Sequence, residues 1–173
     1  MRLWLLRHAK SSWSDTGLAD EDRPLAPRGE HAADRMREYV DAEGIHPELA
    51  LCSSALRARQ TLARVLPALG SDLEVRIEPV LYTFDADVLL DRLGHTSSDA
   101  HSVLLVGHNP AIEDLATRIA DRGDGLTDLS QKYPTGGLAE IAFSEGTWST
   151  LADRPGELVR FIVPRDLGTS AQM

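Results

Sequence analysis

Three short apolar runs end in residues that could handle an anion. Leu3–Leu6 leads into Arg7-His8. Leu49–Cys52 leads into Ser53-Ser54, with Arg57 in the first turn of the helix that follows. Ser102–Val106 leads into Gly107-His108-Asn109-Pro110. Arginine offers a planar fork of donors matched to phosphate oxygens. A histidine can attack phosphorus through one ring nitrogen, provided the other is held as a donor and the ring stays neutral. A second histidine can donate to the transferring oxygens, whose charge must be stabilised in the transition state. His8 as nucleophile, with Arg7, Arg57 and His108 around a phosphate, is the chemistry these residues could do together. A single histidine at a strand end, or a single arginine on a helix, is ordinary structure. The joint placement of all four is what points to a site.

Other uses of these residues fit less well. His8, His31, His46, His95, His101 and His108 show no His-x-x-x-His spacing and no Cys-x-x-Cys accompanies them, so no metal is expected. Arg7 and Arg57 would also repel a cation. His31, His46, His95 and His101 read as surface residues. The chain has no phosphate-binding Gly-x-x-x-x-Gly-Lys loop and no Gly-x-Gly-x-x-Gly after a strand. Ser53 and Ser54 lack a nucleophile elbow and read as a strand end and a helix cap. Cys52 is the only cysteine. It excludes an internal disulfide and reads as a buried core thiol.

The elements that must position these residues follow from periodicity. Strands are expected at Leu3–Leu6, Leu49–Cys52, Glu74–Ile77, Ser102–Val106, Leu138–Phe143 and Leu158–Val163. Helices are expected at Arg28–Glu43, Leu56–Leu69, Ala86–Leu93 and Ala111–Asp121. The early strands are nearly continuous apolar runs, as strands buried on both faces are. The expected fold is therefore α/β, a single three-layer domain with a mostly parallel sheet and helices on both faces. The last two strands, joined by Ser144–Gly156, could form an antiparallel edge hairpin. Asp121–Asp128 reads as a loop. The domain is expected to span 1–166, with Leu167–Met173 as a flexible tail. In such sheets ligands bind beyond the carboxyl ends of strands, where Arg7, His8, Ser53 and His108 fall.

The whole chain is consistent with this. Its 173 residues suit one domain with a sizeable core, and 42% are hydrophobic. A net charge of -9 argues against nucleic-acid binding, yet a few arginines can still make one positive pocket. The apolar start, Leu3–Leu6, is too short for a signal peptide and no stretch could span a bilayer, so a cytoplasmic protein without membrane contact is expected.

The motifs together resemble the histidine phosphatase superfamily, which includes cofactor-dependent phosphoglycerate mutases. The resemblance runs from Leu5-Leu6-Arg7-His8 through Arg23-Pro24-Leu25-Ala26-Pro27-Arg28-Gly29 and Ser53-Ser54-Ala55-Leu56-Arg57-Ala58-Arg59-Gln60-Thr61 to Val106-Gly107-His108-Asn109-Pro110. Arg7-His8-Ala9-Lys10-Ser11-Ser12-Trp13 and Asp22-Arg23-Pro24-Leu25 are most similar to the short phosphohistidine phosphatase SixA branch. The resemblance implies a phosphoglycerate mutase-like fold without a cap domain. It implies attack on phosphorus by His8, with Arg7, Arg57 and His108 completing the phosphate pocket and no cofactor.

Many superfamily members carry an acidic proton donor before the third helix, where Tyr82 falls here. The candidates for a general acid are Asp20, Glu21 and Asp22, on the loop after His8, and Tyr82. An alkoxide leaving group needs protonation as its bond breaks, whereas the imidazole of phosphohistidine leaves easily. The expected substrate is therefore a phosphohistidine in a protein. The alternatives are a small phosphorylated substrate, a phosphoglycerate-type mutase reaction, or phospho-ligand binding without catalysis. The oligomeric state is not legible.

Overall fold

The computed structural model describes residues 1–168. Its elements are β1 (Arg2–Arg7), α1 (Pro27–Ala42), β2 (Leu49–Ser53), α2 (Leu56–Val65), β3 (Glu74–Glu78) and α3 (Ala86–Gly94), followed by β4 (Ser102–Gly107), α4 (Ala111–Ile119), β5 (Ala120–Arg122), α5 (Leu126–Gln131), β6 (Leu138–Ala142) and β7 (Gly156–Ile162). One sheet runs in the order β3-β2-β4-β1-β6-β7-β5. β2 pairs in parallel with β3 and β4, β4 with β1, and β5 with β7, while β6 is antiparallel to both β1 and β7.

Alternation along each strand sends its side chains to opposite faces. Leu3, Leu5, Leu51, Val103 and Leu105 pack with Leu89 and Leu93 of α3, Ile112 and Leu115 of α4 and Leu129 of α5. Trp4, Leu6, Ala50, Cys52, Leu104 and Val106 pack on the other face with Met36 and Val40 of α1 and Leu62 and Val65 of α2. Apolar side chains therefore fill both faces of the central strands, at roughly 1.5–3 kcal/mol for each large one buried. That is why β1, β2 and β4 read as unbroken apolar runs. The result is the expected three-layer arrangement, with helices on both faces of a mostly parallel sheet.

The differences from expectation are local. The helix expected over Leu56–Leu69 ends at Val65 and tightens to a 3-10 turn, Leu66–Ala68. Pro67 has no N–H to extend the α-helical ladder. The expected loop Asp121–Asp128 needs correction. Ala120–Arg122 is β5, paired with β7, and Leu126 begins α5. The β6–β7 hairpin forms, and β5 lies outside it at the sheet's edge. A three-residue strand with two exposed charged side chains has too few apolar positions to show a period. Leu167 packs against the α1 side, and its carbonyl accepts from Arg35 at 3.3 Å. The rest of the expected tail, from 169 on, lies outside the described residues. Among the described residues no helix is long and apolar enough to cross a membrane.

Candidate active site

The carboxyl ends of β1, β4 and β2 lie side by side and bring Arg7-His8, His108, Ser53 and Arg57 together. The rings of His8 and His108 are 4.9 Å apart between centroids. Arg57, from the first turn of α2, reaches between them. Its Nε donates to His8 Nε2 at 3.4 Å, and its Nη2 lies 3.4 Å from His108 Nδ1. His8 is 8% exposed, Arg57 4% and His108 1%. The four residues singled out from strand ends therefore share one buried-walled cluster. His31, His46, His95 and His101 are all exposed, as expected.

Local packing fixes His8. Its Nδ1 donates to the Ala9 carbonyl at 2.7 Å, which leaves the Nε2 lone pair toward Arg57. The Ala9 N–H donates to Thr61 Oγ1 at 3.0 Å, and the Thr61 hydroxyl donates to the Arg57 carbonyl at 2.7 Å. One threonine thus ties the His8 loop to the turn that carries Arg57. Behind His8, the Gly136 N–H is shared between the carbonyls of Arg7 at 3.0 Å and His8 at 3.1 Å. Gly136 holds φ at +78°, a conformation that favours glycine. Gly29, in the first turn of α1, packs so closely that a Cβ would stand 2.1 Å from the Lys10 carbonyl oxygen. Its missing side chain lets α1 start directly against the loop after His8.

Burial sets the charge states. Desolvation first, then the positive Arg57 and Arg7, push His8 down to about 4, although the Ala9 carbonyl opposes them. Desolvation, His8 and Arg57 push His108 down to about 3. Both rings are neutral at pH 7, the state a nucleophile requires and one that still leaves the second histidine one N–H to donate. His108 Nε2 is 2.7 Å from Ser53 Oγ. A hydroxyl can donate or accept, so Ser53 serves either tautomer of His108. When Ser53 donates, the His108 proton is on Nδ1, and the Arg57 Nη2 contact has to open for it to reach an anion. Ser53 and Thr61 were not singled out as site residues from the sequence. Ser53 does end β2 as expected, but neither it nor Ser54 is the cap of α2. That position is Ala55.

The acidic loop does not supply a ready proton donor. The Asp20 Oδ2 accepts from Arg57 Nη2 and from the Tyr82 hydroxyl, each at 2.8 Å. The Asp20 carbonyl accepts from Arg57 Nη1 at 2.5 Å. Burial raises the Asp20 carboxyl, but the hydrogen bonds from Tyr82 and Arg57 and the charges of Arg57 and Arg23 outweigh it and hold it below its ordinary value. Asp20 is therefore an anion at neutral pH. Tyr82 is pushed up by burial and by its bond to Asp20, so its proton is held. Glu21 turns away to accept from Ser54, and among the described residues no hydrogen bond or ion pair joins Asp22 to the cluster. Cys52 is fully buried, and burial pushes its thiol up to about 12, in keeping with a core role.

Arg7 is anchored by its Nη1 on the Tyr133 carbonyl at 2.5 Å, while its buried Nε has no partner. The same edge leaves Asn109 Oδ1 buried and unpartnered. The site keeps polar capacity in reserve, which a bound anion with its own donors could use.

The fold and this edge define an α/β protein with a cluster of histidines and arginines at the carboxyl ends of its central strands. The chain belongs to the histidine phosphatase superfamily (branch 1), whose profile matches residues 3–92. It is 36% identical over 166 residues to an uncharacterized protein of Mycobacterium tuberculosis, a match covering 92% of this chain and 100% of that one. Among solved structures it resembles a candidate phosphohistidine phosphatase SixA from Nakamurella multipartitia, with a TM-score of 0.81, 29% identity and coverage of 94% of this chain and 95% of that one. A second candidate SixA, from Agrobacterium tumefaciens, gives a TM-score of 0.78 at 30% identity, covering 94% of this chain and 97% of that one.

Proposed function

We propose that the protein is a metal-independent phosphatase that works through a phosphohistidine intermediate on His8 and removes phosphate from phosphohistidine in a protein. The observation that carries this is the 2.7 Å contact between His8 Nδ1 and the Ala9 carbonyl, an acceptor that requires the proton on Nδ1. The Ala9 carbonyl holds the Nδ1 proton at 2.7 Å, so a neutral Nε2 lone pair faces the Arg57 guanidinium.

In the first step Nε2 of His8 forms a bond to phosphorus, and the bond from phosphorus to the leaving group breaks with its electron pair going to that group. Arg57, Arg7 and His108 offer donors to the three phosphoryl oxygens as charge shifts among them. In the second step water attacks phosphorus, the bond to Nε2 breaks, and His8 returns neutral. Both protons of the water leave with the released phosphate. No residue of the cluster is a ready acid toward the leaving group, which suits an imidazole better than an alkoxide. The relatives described as candidate phosphohistidine phosphatases support the same substrate class.

The test is a substrate panel of a phosphohistidine protein, an aryl phosphate, sugar phosphates and nucleotides. Phosphohistidine should give the highest kcat/KM, and His8→Ala should reduce turnover of every substrate to background. Substantial turnover by His8→Ala would rule out the mechanism. Faster turnover of an alkyl phosphate than of phosphohistidine would rule out the substrate.

A further inference from the structure

Asp20 sits where a carboxylate is hard to explain as phosphate-binding machinery. It occupies two donors of Arg57, through its carbonyl and its Oδ2, in the pocket that has to receive an anion. An incoming phosphoryl group meets this negative charge at close range and is repelled by it. Asp20 therefore penalises a substrate whose only charge near the pocket is negative. It favours one that carries a positive charge on the atoms next to phosphorus.

The remaining geometry says what kind of cation fits. Oδ2 is already bonded twice, whereas the nearest charged partner of Oδ1 is Arg23 Nε at 3.7 Å, beyond hydrogen-bond distance. The side chain is 46% exposed, so Oδ1 can accept from something arriving from solvent. The Tyr82 ring, whose hydroxyl donates to Asp20, packs against a second ring, Phe84. Tyr82 is 5.4 Å and Phe84 6.0 Å from the His108 ring, and they are 5.9 Å from each other. Phe84 packs against Tyr82 and His108 and is still 52% exposed, so part of its ring is open to solvent. A carboxylate beside aromatic faces favours a flat cation, which gains charge attraction and ring contact together.

We propose that Asp20, Tyr82 and Phe84 form a leaving-group subsite for a protonated imidazole. This rests on the phosphatase reading above and names what the site recognises beyond the phosphoryl group. A phosphohistidine protonated on its second nitrogen enters with that N–H toward Asp20 Oδ1. As His8 Nε2 bonds to phosphorus, the P–N bond breaks and its electron pair stays on the departing nitrogen. The imidazolium becomes a neutral imidazole and keeps its N–H. No proton leaves the enzyme, so the step needs no general acid. The carboxylate favours the protonated substrate, which is the form that departs without help.

The test compares two substrates in the full-length protein, free phosphohistidine and an aryl phosphate, which has a ring but no ring proton. For Asp20→Asn, the ratio of kcat/KM for phosphohistidine to that for the aryl phosphate should fall at least tenfold, and Asp20→Glu should recover part of it. Phe84→Ala should raise KM for phosphohistidine more than for the aryl phosphate, with kcat moved less than KM. Because Phe84 is exposed, that variant tests the subsite even if Asp20→Asn fails to fold. Proportional loss on both substrates in either variant would make these residues mere supports and would overturn the subsite. Wild-type turnover of the aryl phosphate alone would also overturn it, while leaving a His8 phosphatase standing. Turnover of neither substrate would remove the phosphatase reading itself.

Discussion

Among the described residues, charged side chains enter the interior in two places, and the two are built on opposite terms. On β6, Glu140 is 1% exposed and is clasped by Arg2 and, at 2.9 Å, by Arg160 Nε. Arg160 then reaches the Tyr39 hydroxyl at 3.1 Å and Glu43 at 2.5 Å. None of these five residues has a buried polar side-chain atom without a partner. At the carboxyl edge, Arg7 Nε, Arg23 Nε and Asn109 Oδ1 are buried and unpartnered, and two histidines are held neutral by burial. The β6 network closes on itself and serves the fold. The edge cluster is left short of partners, a state that costs stability and is satisfied only by something from outside. Trp4 Nε1 and Thr96 Oγ1 are also buried and unpartnered elsewhere, so what sets the edge apart is unspent capacity lying beside neutral histidines and arginines.

The largest effect that would break this comparison is at the strut. Arg160→Met keeps the apolar stem but leaves the buried Glu140 with one partner fewer. Removing one member of a buried ion pair typically costs about 3–5 kcal/mol, and urea unfolding should show a loss of that order. Glu140→Leu in the same chain should recover most of it, because an apolar pair needs no compensation. The kcat/KM of the folded protein should stay within about twofold at each step, on the scale where tenfold is about 1.4 kcal/mol. A variant that folds normally and loses turnover would merge the two regions.

Arg57→Ala should do the reverse. Loss of a donor to developing charge costs roughly 10²–10³-fold, and kcat/KM on an aryl phosphate should fall by that order. The urea midpoint should fall less than in Arg160→Met, because the carboxylate left without its partner, Asp20, is half-exposed rather than buried. A smaller effect is expected at Ser53. Ser53→Ala takes away the hydrogen bond to His108 Nε2, worth about 1 kcal/mol. That should lower kcat/KM about fivefold to tenfold. Unchanged kcat/KM would mean that the tautomer of His108 does not depend on Ser53.

That Arg7, His8, Arg57 and His108 would come together was legible because parallel strands announce their carboxyl ends. A continuous apolar run stops, and the next side chain faces the ligand edge. The three-layer fold was legible for the same reason. Thr61 and Ser53 were not, because a threonine on a helix and a serine after a strand are common, and their roles depend on residues far away in the chain. Asp20 was legible as a possible acid and not as an anion. Its charge is decided by Arg57 and Tyr82, which are 37 and 62 positions distant. β5 was hidden by its length, and Gly29 by the fact that only the approach of Lys10 shows why no side chain fits there.

A last effect, read as a slope against pH, measures directly what the site takes from the fold. His8 is lowered from 6.5 to about 4 and His108 to about 3. Between those values and 6.5 the unfolded chain binds protons that the folded chain refuses. Stability therefore falls as pH drops from 6.5, and this contribution levels off once pH passes below about 4 for His8 and about 3 for His108. Each histidine can contribute at most about 1.4 kcal/mol per pH unit. Urea midpoints measured from pH 7 to pH 4 should decline in the wild type. In His108→Asn, which cannot titrate there, the decline should be shallower. The Arg160→Met variant should keep the wild-type slope while lying lower throughout, because the strut holds no histidine. Equal slopes in wild type and His108→Asn would mean that His108 is not held neutral against solvent, and the contrast between a closed strut and an open site would lose its energetic basis.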